Sequence, residues 1–399
     1  MRRRTNHAPA ALRLSATDAF FVAYQQSSGV LMQLGGEADL QGEVTRGDLE
    51  HMLDRLVARW PQLGQTLQKS LMGLKWAGEC RTDKMLSISN GATQIGGSAE
   101  ASRWRNTALD PFQEPPFQAL WVPNGDGGKL AFRAHHAVMD GESFFAVGAE
   151  AIRLLAQRKE RNERTVSHVS SSDQGLDATT LTDLISRKHL RPRRMRSMWR
   201  YARWLSSEAR AGRSARLAMD SCTTGDTYTC KRTLDREAFV KLNRQATQVG
   251  VMPMAWCAAA WMRAIHAWNS SREAASNPLV SLEVPVSLRR ARNRGRDIVG
   301  NFISPLLVFA DATLPHDQVA RDLKTQLTKA MRAQAHLSMP LLSAPAKFLP
   351  WSLFRRVAVS PKTTGFATSH FTWFEPEADL PAEVAQLSQG SLRITGQRI

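Results

Sequence analysis

The sequence predicts a mixed α/β protein built in two halves. Three observations carry that reading. The chain has 399 residues, more than a single ordinary core organises. A strand–helix–strand grammar fills its first part and returns after a polar, arginine-rich interval. Hydrophobic residues make up 43% and charged residues 22%, the balance of a globular chain rather than a disordered one.

The elements follow in order. LSATDAFF (14–21) opens on a Ser/Thr cap and runs into apolar residues, which predicts a short helix. VLMQLGGE (30–37) reads as a strand. In RGDLEHMLDRLVARWPQL (46–63), Leu49, Met52, Leu53, Leu56, Val57 and Trp60 recur at helical spacing, and Pro61 stops the helix. LWVPNGDGGKLAFRAHH has two apolar runs flanking NGDGG, the chemistry of a hairpin. SFFAVGAEAIRLLAQ then reads as an apolar helix. Residues 158–190 are polar and serine-rich, and an arginine-rich block follows. TYTCKRTL (227–234) reads as a strand. REAFVKLNRQATQVG (236–250) is a helix capped by Gly250. MAWCAAAWMRAIHAW (254–268) is a buried helix, PLVSLEVPVSL (278–288) and FISPLLVFA (302–310) are strands, and LPHDQVARDLKTQLTKAMRAQA (314–335) is an amphipathic helix. The expected division is 1–165, a basic crossover at 166–225, and 226–399.

Several classes are excluded. No run of about 18 apolar residues predicts a membrane span. The basic N-terminus has no apolar stretch behind it, so no secretory signal is expected. Four cysteines, Cys80, Cys222, Cys230 and Cys257, form no C-x-x-C pair, which points to reduced thiols and no metal site. A cytoplasmic protein is expected.

AFRAHHAVMDG (131–141) ends the hairpin in two histidines. Strand alternation puts Leu130, Phe132, Ala134 and His136 on one face and Ala131, Arg133 and His135 on the other. Two histidines on opposite faces do not share a metal. The apolar face assigns desolvation to His136, which keeps its imidazole neutral and makes it a general base. Asp140 follows the strand end, placed to orient a histidine or pin an arginine, and Gly141 is expected to permit a tight bend. A bare histidine in an apolar strand is more often a core residue. The combination H-H-x-x-x-D-G, behind a hairpin and before a helix, favours chemistry.

HHAVMDG resembles the HHxxxDG signature of the chloramphenicol-acetyltransferase-like superfamily, which includes nonribosomal-peptide condensation domains and the bacterial wax ester synthase/diacylglycerol acyltransferase group. LSATDAFF, DLEHMLDRLVARWPQL, FQALWV, VPVSLR and GNFISPLLV resemble elements of the wax ester synthase group, in its order, over nearly the whole chain. Two features depart from it. GVMPMAWCAAAW lacks the Asn-Asp dipeptide of that group, and SHFTWF (369–374) stands where superfamily members often carry D-F-G-W-G.

The resemblance implies two similar subdomains, each a mixed sheet flanked by helices, set in a V around an active-site tunnel. It implies acyl transfer from acyl-coenzyme A, or from a phosphopantetheine-linked thioester on an acyl carrier protein, to a hydroxyl group, with amide formation or an idle scaffold as alternatives. His136 would be the base and attack would be direct, in keeping with the absence of a G-x-S-x-G elbow. His135 would support it. Asp140 would pair with an arginine of the other half, for which Arg289 is the candidate. Gly141 would permit close backbone approach. Asn301 and Ser304 would line the tunnel or face the developing oxyanion. No bound cofactor or metal is implied.

The net charge is +17, and most of the excess lies between Arg187 and Arg216. From residue 194 this block predicts a helix, with Met195, Met198, Trp199 and Leu205 partly sharing a face. Such a helix suits an anionic membrane surface at the inner face of the membrane. It also suits an acidic carrier protein or the phosphates of coenzyme A, and the plain alternative is a solvated crossover helix whose charge gives solubility. No helix-turn-helix, finger or aromatic sheet motif supports nucleic-acid binding.

Overall fold

The computed structural model describes residues 12–89, 101, 103–125, 127–163, 192–210, 214–215, 217–218, 234–272, 277–289, 299–359, 369–371 and 393–396. Its elements are β1 (Leu12–Arg13), α1 (Ala16–Ser28), β2 (Gln33–Gln41), α2 (Arg46–Arg59), β3 (Thr66–Ser70), β4 (Gly73–Ala77), β5 (Leu86–Ile88), β6 (Phe117–Asn124), β7 (Gly127–His135) and α3 (Gly141–Glu163). There follow α4 (Pro192–Arg210), α5 (Arg236–Val249), α6 (Pro253–Ser270), β8 (Leu279–Ser287), β9 (Ile303–Asp311), α7 (His316–Arg332), α8 (Ser338–Ser343), α9 (Trp351–Ala358), β10 (Ser369–His370) and β11 (Arg393–Gly396). It is the mixed α/β architecture that the sequence predicts.

The first half is organised by a five-stranded sheet in the order β11-β2-β7-β6-β5. β2 and β7 pair antiparallel over their whole length, from Gln33↔His135 to Gln41↔Gly127. The hairpin β6–β7 depends on its glycines. A Cβ on Gly128 would lie 2.5 Å from the Trp121 ring, closer than packed atoms come. Two capping boxes start the flanking helices: Ser15 with Asp18 on α1, and Thr45 with Asp48 on α2. Each satisfies two backbone donors that a helix start leaves open. α2 then buries Leu49, Met52, Leu53, Leu56 and Val57 against the first core.

The second half rests on β8 and β9, antiparallel from Leu279↔Asp311 to Ser287↔Ile303, with β10 parallel to β8. α6 presents Ala255, Ala258, Ala259 and Met262 to a second core. The three alanines let the helix lie close to its neighbours. Gly250 ends α5 with φ 75°, a left-handed conformation that suits glycine.

Some expectations shift. The strand at 30–37 runs instead from 33 to 41, because its full partner β7 fixes the register. The helix after Gly141 continues to Glu163, past the expected end at 157; its polar last turns are strong helix formers. The C-terminal unit expected at 226–399 does not pack as one block. Trp351 and Phe354 sit in the first core, and β11 pairs with β2. The strand expected at 227–234 lies almost wholly outside the described residues. Among the described residues no helix is long and apolar enough to cross a membrane. Cys80 and Cys257 are free thiols.

Candidate active site

The site forms where β7 ends. The strand stops at His135, and residues 136–138 make a turn. β7 is central in its sheet, and from Leu130 to His135 every residue is buried. Alternation therefore does not separate a wet face from a dry one. The expected burial of His136 falls on His135 instead, and that assignment is corrected.

His135 is 0% exposed. Its Nδ1 accepts from the Ala137 amide at 3.0 Å. A nitrogen that accepts carries no proton, so the ring is the Nε2–H tautomer. Burial, with His136 adding a smaller push, lowers its pKa to about 3. Its face-mate Arg133 is a structural residue as well: it donates to Gln118 Oε1 and to the Trp104 and Thr107 carbonyls.

His136 is half-buried. Its imidazole stacks on Phe21 of α1, with centroids 4.0 Å apart and planes 17° from parallel. Its amide donates to the Met32 carbonyl at 2.7 Å, and its carbonyl accepts from Asn301 Nδ2 at 2.6 Å. Ring and backbone are thus held from three directions.

Asp140 is 0% exposed and all its accepting capacity is used. Oδ1 accepts from the Ser143 amide, which makes it the cap of α3, and from Arg289 Nη2; Oδ2 accepts from Arg289 Nη1 and the Phe302 amide. Of the two roles expected for this carboxylate, orienting a histidine or pinning an arginine, the geometry is the second. Arg289 also donates to Ser143 Oγ, the Gly300 carbonyl and Glu142 Oε2, and lies over the Phe302 ring.

Two expectations are corrected. Gly141 makes no sharp bend: it is the first residue of α3, its φ is not positive, and a Cβ added there meets nothing within 4 Å. The space beside it is open. Asn301 is not free to face an oxyanion, because its Nδ2 donates to both the His136 carbonyl and Asp18 Oδ1. Ser304, 1% exposed on β9, keeps an Oγ with no partner among the described residues. Sequence reasoning missed Asp18 and Phe21. The motif LSATDAFF contains both, but nothing local in it indicates residues 136 or 301.

The arginine-rich block from Pro192 is a helix, as expected, but its faces differ. Met198 is buried with Leu288, Phe302 and Leu337, and Met195 packs beside them. Tyr201 packs on the second core, and Trp204 meets Phe309 edge-on. Trp199 is 59% exposed. It shares the outer face with Arg196 and Arg203, at i−3 and i+4, and Arg200 is exposed beside them.

The fold so described is that of condensation domains. The chain superposes on the first condensation domain of the calcium-dependent antibiotic synthetase with a TM-score of 0.60, at 15% identity, over 82% of this chain and 76% of that one. The starter condensation domain of rhizomide synthetase, solved with C8-CoA and Leu-SNAC, gives 0.61 at 16% identity over 85% and 76%. SgcC5 from Streptomyces globisporus gives 0.58 at 16% identity over 84% and 77%. No family model and no curated protein matches the sequence.

Proposed function

We propose that the chain is an acyltransferase that moves an acyl group from a thioester to a hydroxyl acceptor, with His136 as general base. The observation that carries this reading is the contrast within the pair. His135 is sealed in the sheet, whereas His136 is half-buried with its ring plane fixed by Phe21. An imidazole held in one orientation at an accessible strand end suits proton transfer. In the proposed step the imidazole takes the hydroxyl proton as the oxygen attacks the thioester carbonyl. The tetrahedral oxyanion then collapses, the C–S bond breaks, and the imidazolium returns the proton to the leaving thiolate. Ester and thiol are the products, and no acyl-enzyme forms. Ser304, with its free hydroxyl, is the proposed oxyanion donor. Asp140 and Arg289 hold the turn and do no chemistry.

The donor is proposed to be acyl-coenzyme A or an acyl chain on a carrier protein. The rhizomide domain was solved with C8-CoA and Leu-SNAC, which favours the same thioester class here. That structure also favours the second reading, amide formation from an amine acceptor. The O-acyl preference rests on the motifs shared with the wax ester synthase group. The outer face of α4 suits the anionic part of the donor, either coenzyme A phosphates or an acidic carrier. An anionic membrane surface is the second candidate for that face, and a cytoplasmic setting fits either.

Thiol release from acyl-coenzyme A, with alcohols and amines in parallel, tests the proposal. His136→Ala is expected to lose about 10²- to 10⁴-fold in kcat. Native-level turnover in that variant would reject the assigned base.

A further inference from the structure

The chain contains two capping boxes of the same design. In each, an aspartate at the third helical position accepts from the backbone of the cap residue: Asp18 Oδ2 from the Ser15 amide, and Asp48 Oδ2 from the Thr45 amide, each at 3.0 Å. One oxygen is enough to close a box. At Asp18 the second oxygen reaches across the molecule. Oδ1 accepts from Asn301 Nδ2 at 2.8 Å, 283 residues away, and the same nitrogen donates to the His136 carbonyl at 2.6 Å.

Asp18 and Phe21 stand three residues apart on α1 and so share a face. Phe21 stacks on the His136 ring. One helix face therefore reaches the histidine twice, through the ring directly and through the backbone by way of Asn301. Asn301 comes from the loop before β9, whose neighbour Gly300 receives the Asp140 amide and Arg289. The loop is thus anchored independently of α1.

We propose that Asp18 is a positioning residue for His136, acting through Asn301 to fix the carbonyl of the histidine while Phe21 fixes its ring. The inference rests on the reading of His136 as the base. A carboxylate acceptor shortens and strengthens the amide hydrogen bond it receives. Because the same nitrogen donates both bonds, a fixed carboxylate on one side sets the orientation in which Asn301 meets the His136 carbonyl on the other. A neutral residue closes a helix cap nearly as well. The charge on this half-buried carboxylate is costly, since desolvation raises the Asp18 pKa to about 6, and capping alone does not require it.

The test is a double-variant cycle on the full chain with three readouts: kcat with the donor KM, the thermal midpoint, and the ring carbon–proton signal of His136 in histidine-labelled protein. That signal is assigned by its loss in His136→Ala. Asp18→Ala and Asn301→Ala are each expected to lower kcat about tenfold, with the donor KM within about twofold. The double variant is expected to lose no more than Asn301→Ala alone, because both act through one linkage. Both are expected to shift the His136 signal. Asp48→Ala, the matched change in the other box, is expected to lower the midpoint and leave kcat and the signal unchanged. Asp18→Asn keeps the shape, so it serves if the alanine variant does not fold, with the same kcat loss in smaller measure.

An unmoved His136 signal in Asp18→Ala and Asp18→Asn overturns the inference, as does a double variant whose loss is the product of the single losses. A moved signal together with a fully active His136→Ala rejects the catalytic reading instead and leaves the linkage standing.

Discussion

Asp140 and Arg289 are joined by two parallel hydrogen bonds of 2.7 and 3.0 Å, although 149 residues separate them. The carboxylate is 0% exposed and the guanidinium 6%. Planar groups in this fork arrangement give directed, charge-assisted bonds. The pair ties the cap of α3 to the strand end after β8, so it joins elements of both halves behind His136.

Breaking that pair leaves a charge buried without its partner. Arg289→Ala is expected to cost about 3–5 kcal/mol of folding stability. Arg289→Lys keeps the charge but loses the fork, and is expected to fall between. Urea unfolding midpoints measure both. An alanine variant as stable as the native chain would contradict the proposed anchoring.

His135 contributes through its neutral form. Its pKa falls from the ordinary 6.5 to about 3 because burial removes hydration from the cation. The stabilisation is complete above pH 6.5 and is lost as pH falls through about 3. At pH 5 the loss is about 2 kcal/mol. His135→Asn is expected to be less stable at pH 7 yet to have a flatter stability profile from pH 7 to pH 5. Denaturant midpoints across that range are the check, and parallel profiles would count against the assignment.

Gly141 separates packing from chemistry. A Cβ there meets no protein atom within 4 Å, and alanine at a compatible backbone position narrows the unfolded ensemble, a gain of about 0.4–1 kcal/mol. Gly141→Ala is therefore expected to hold or raise the thermal midpoint. If the acyl donor or acceptor passes through that open space, the same methyl raises the KM of whichever substrate it meets. A variant with unchanged kinetics for both substrates would place them elsewhere.

The sequence resolves local features well and long-range ones poorly. The hairpin glycines, the α2 stripe and the Gly250 cap are near-neighbour patterns, and each stands where its spacing puts it. Arg289 was reached only through a motif resemblance, since no local rule pairs it with Asp140. The burial expected within the histidine pair was inverted: the desolvated ring is His135, not His136. Alternation assumes one open face, whereas β7 has neighbours on both sides and cover on both faces. Asp18 went unread, because a cap uses one carboxylate oxygen and the sequence does not tell where the other points.

Asp18 gives the prediction in which stability and rate part company. Burial raises its pKa from 3.8 to about 6, and the charge on Asp140 adds to the rise while the bonds from Ser15 and Asn301 oppose it. Folding therefore favours the protonated carboxyl. That stabilisation is complete below pH 3.8 and is lost as pH rises through about 6, a difference of about 3 kcal/mol between the two ends. Asp18→Asn is neutral at every pH. It is expected to exceed the native chain by about 2 kcal/mol at pH 7.5, after a small loss in capping, and to show no advantage at pH 4. Its sign is opposite to that of His135 over an overlapping range, so the two are separated by variants and not by the native profile. The same substitution slows turnover if the carboxylate holds Asn301 on the His136 carbonyl. A variant that is more stable at neutral pH and slower is the expected outcome. One that is less stable at pH 7.5 would mean that the carboxylate is well solvated in the folded chain and is simply a cap.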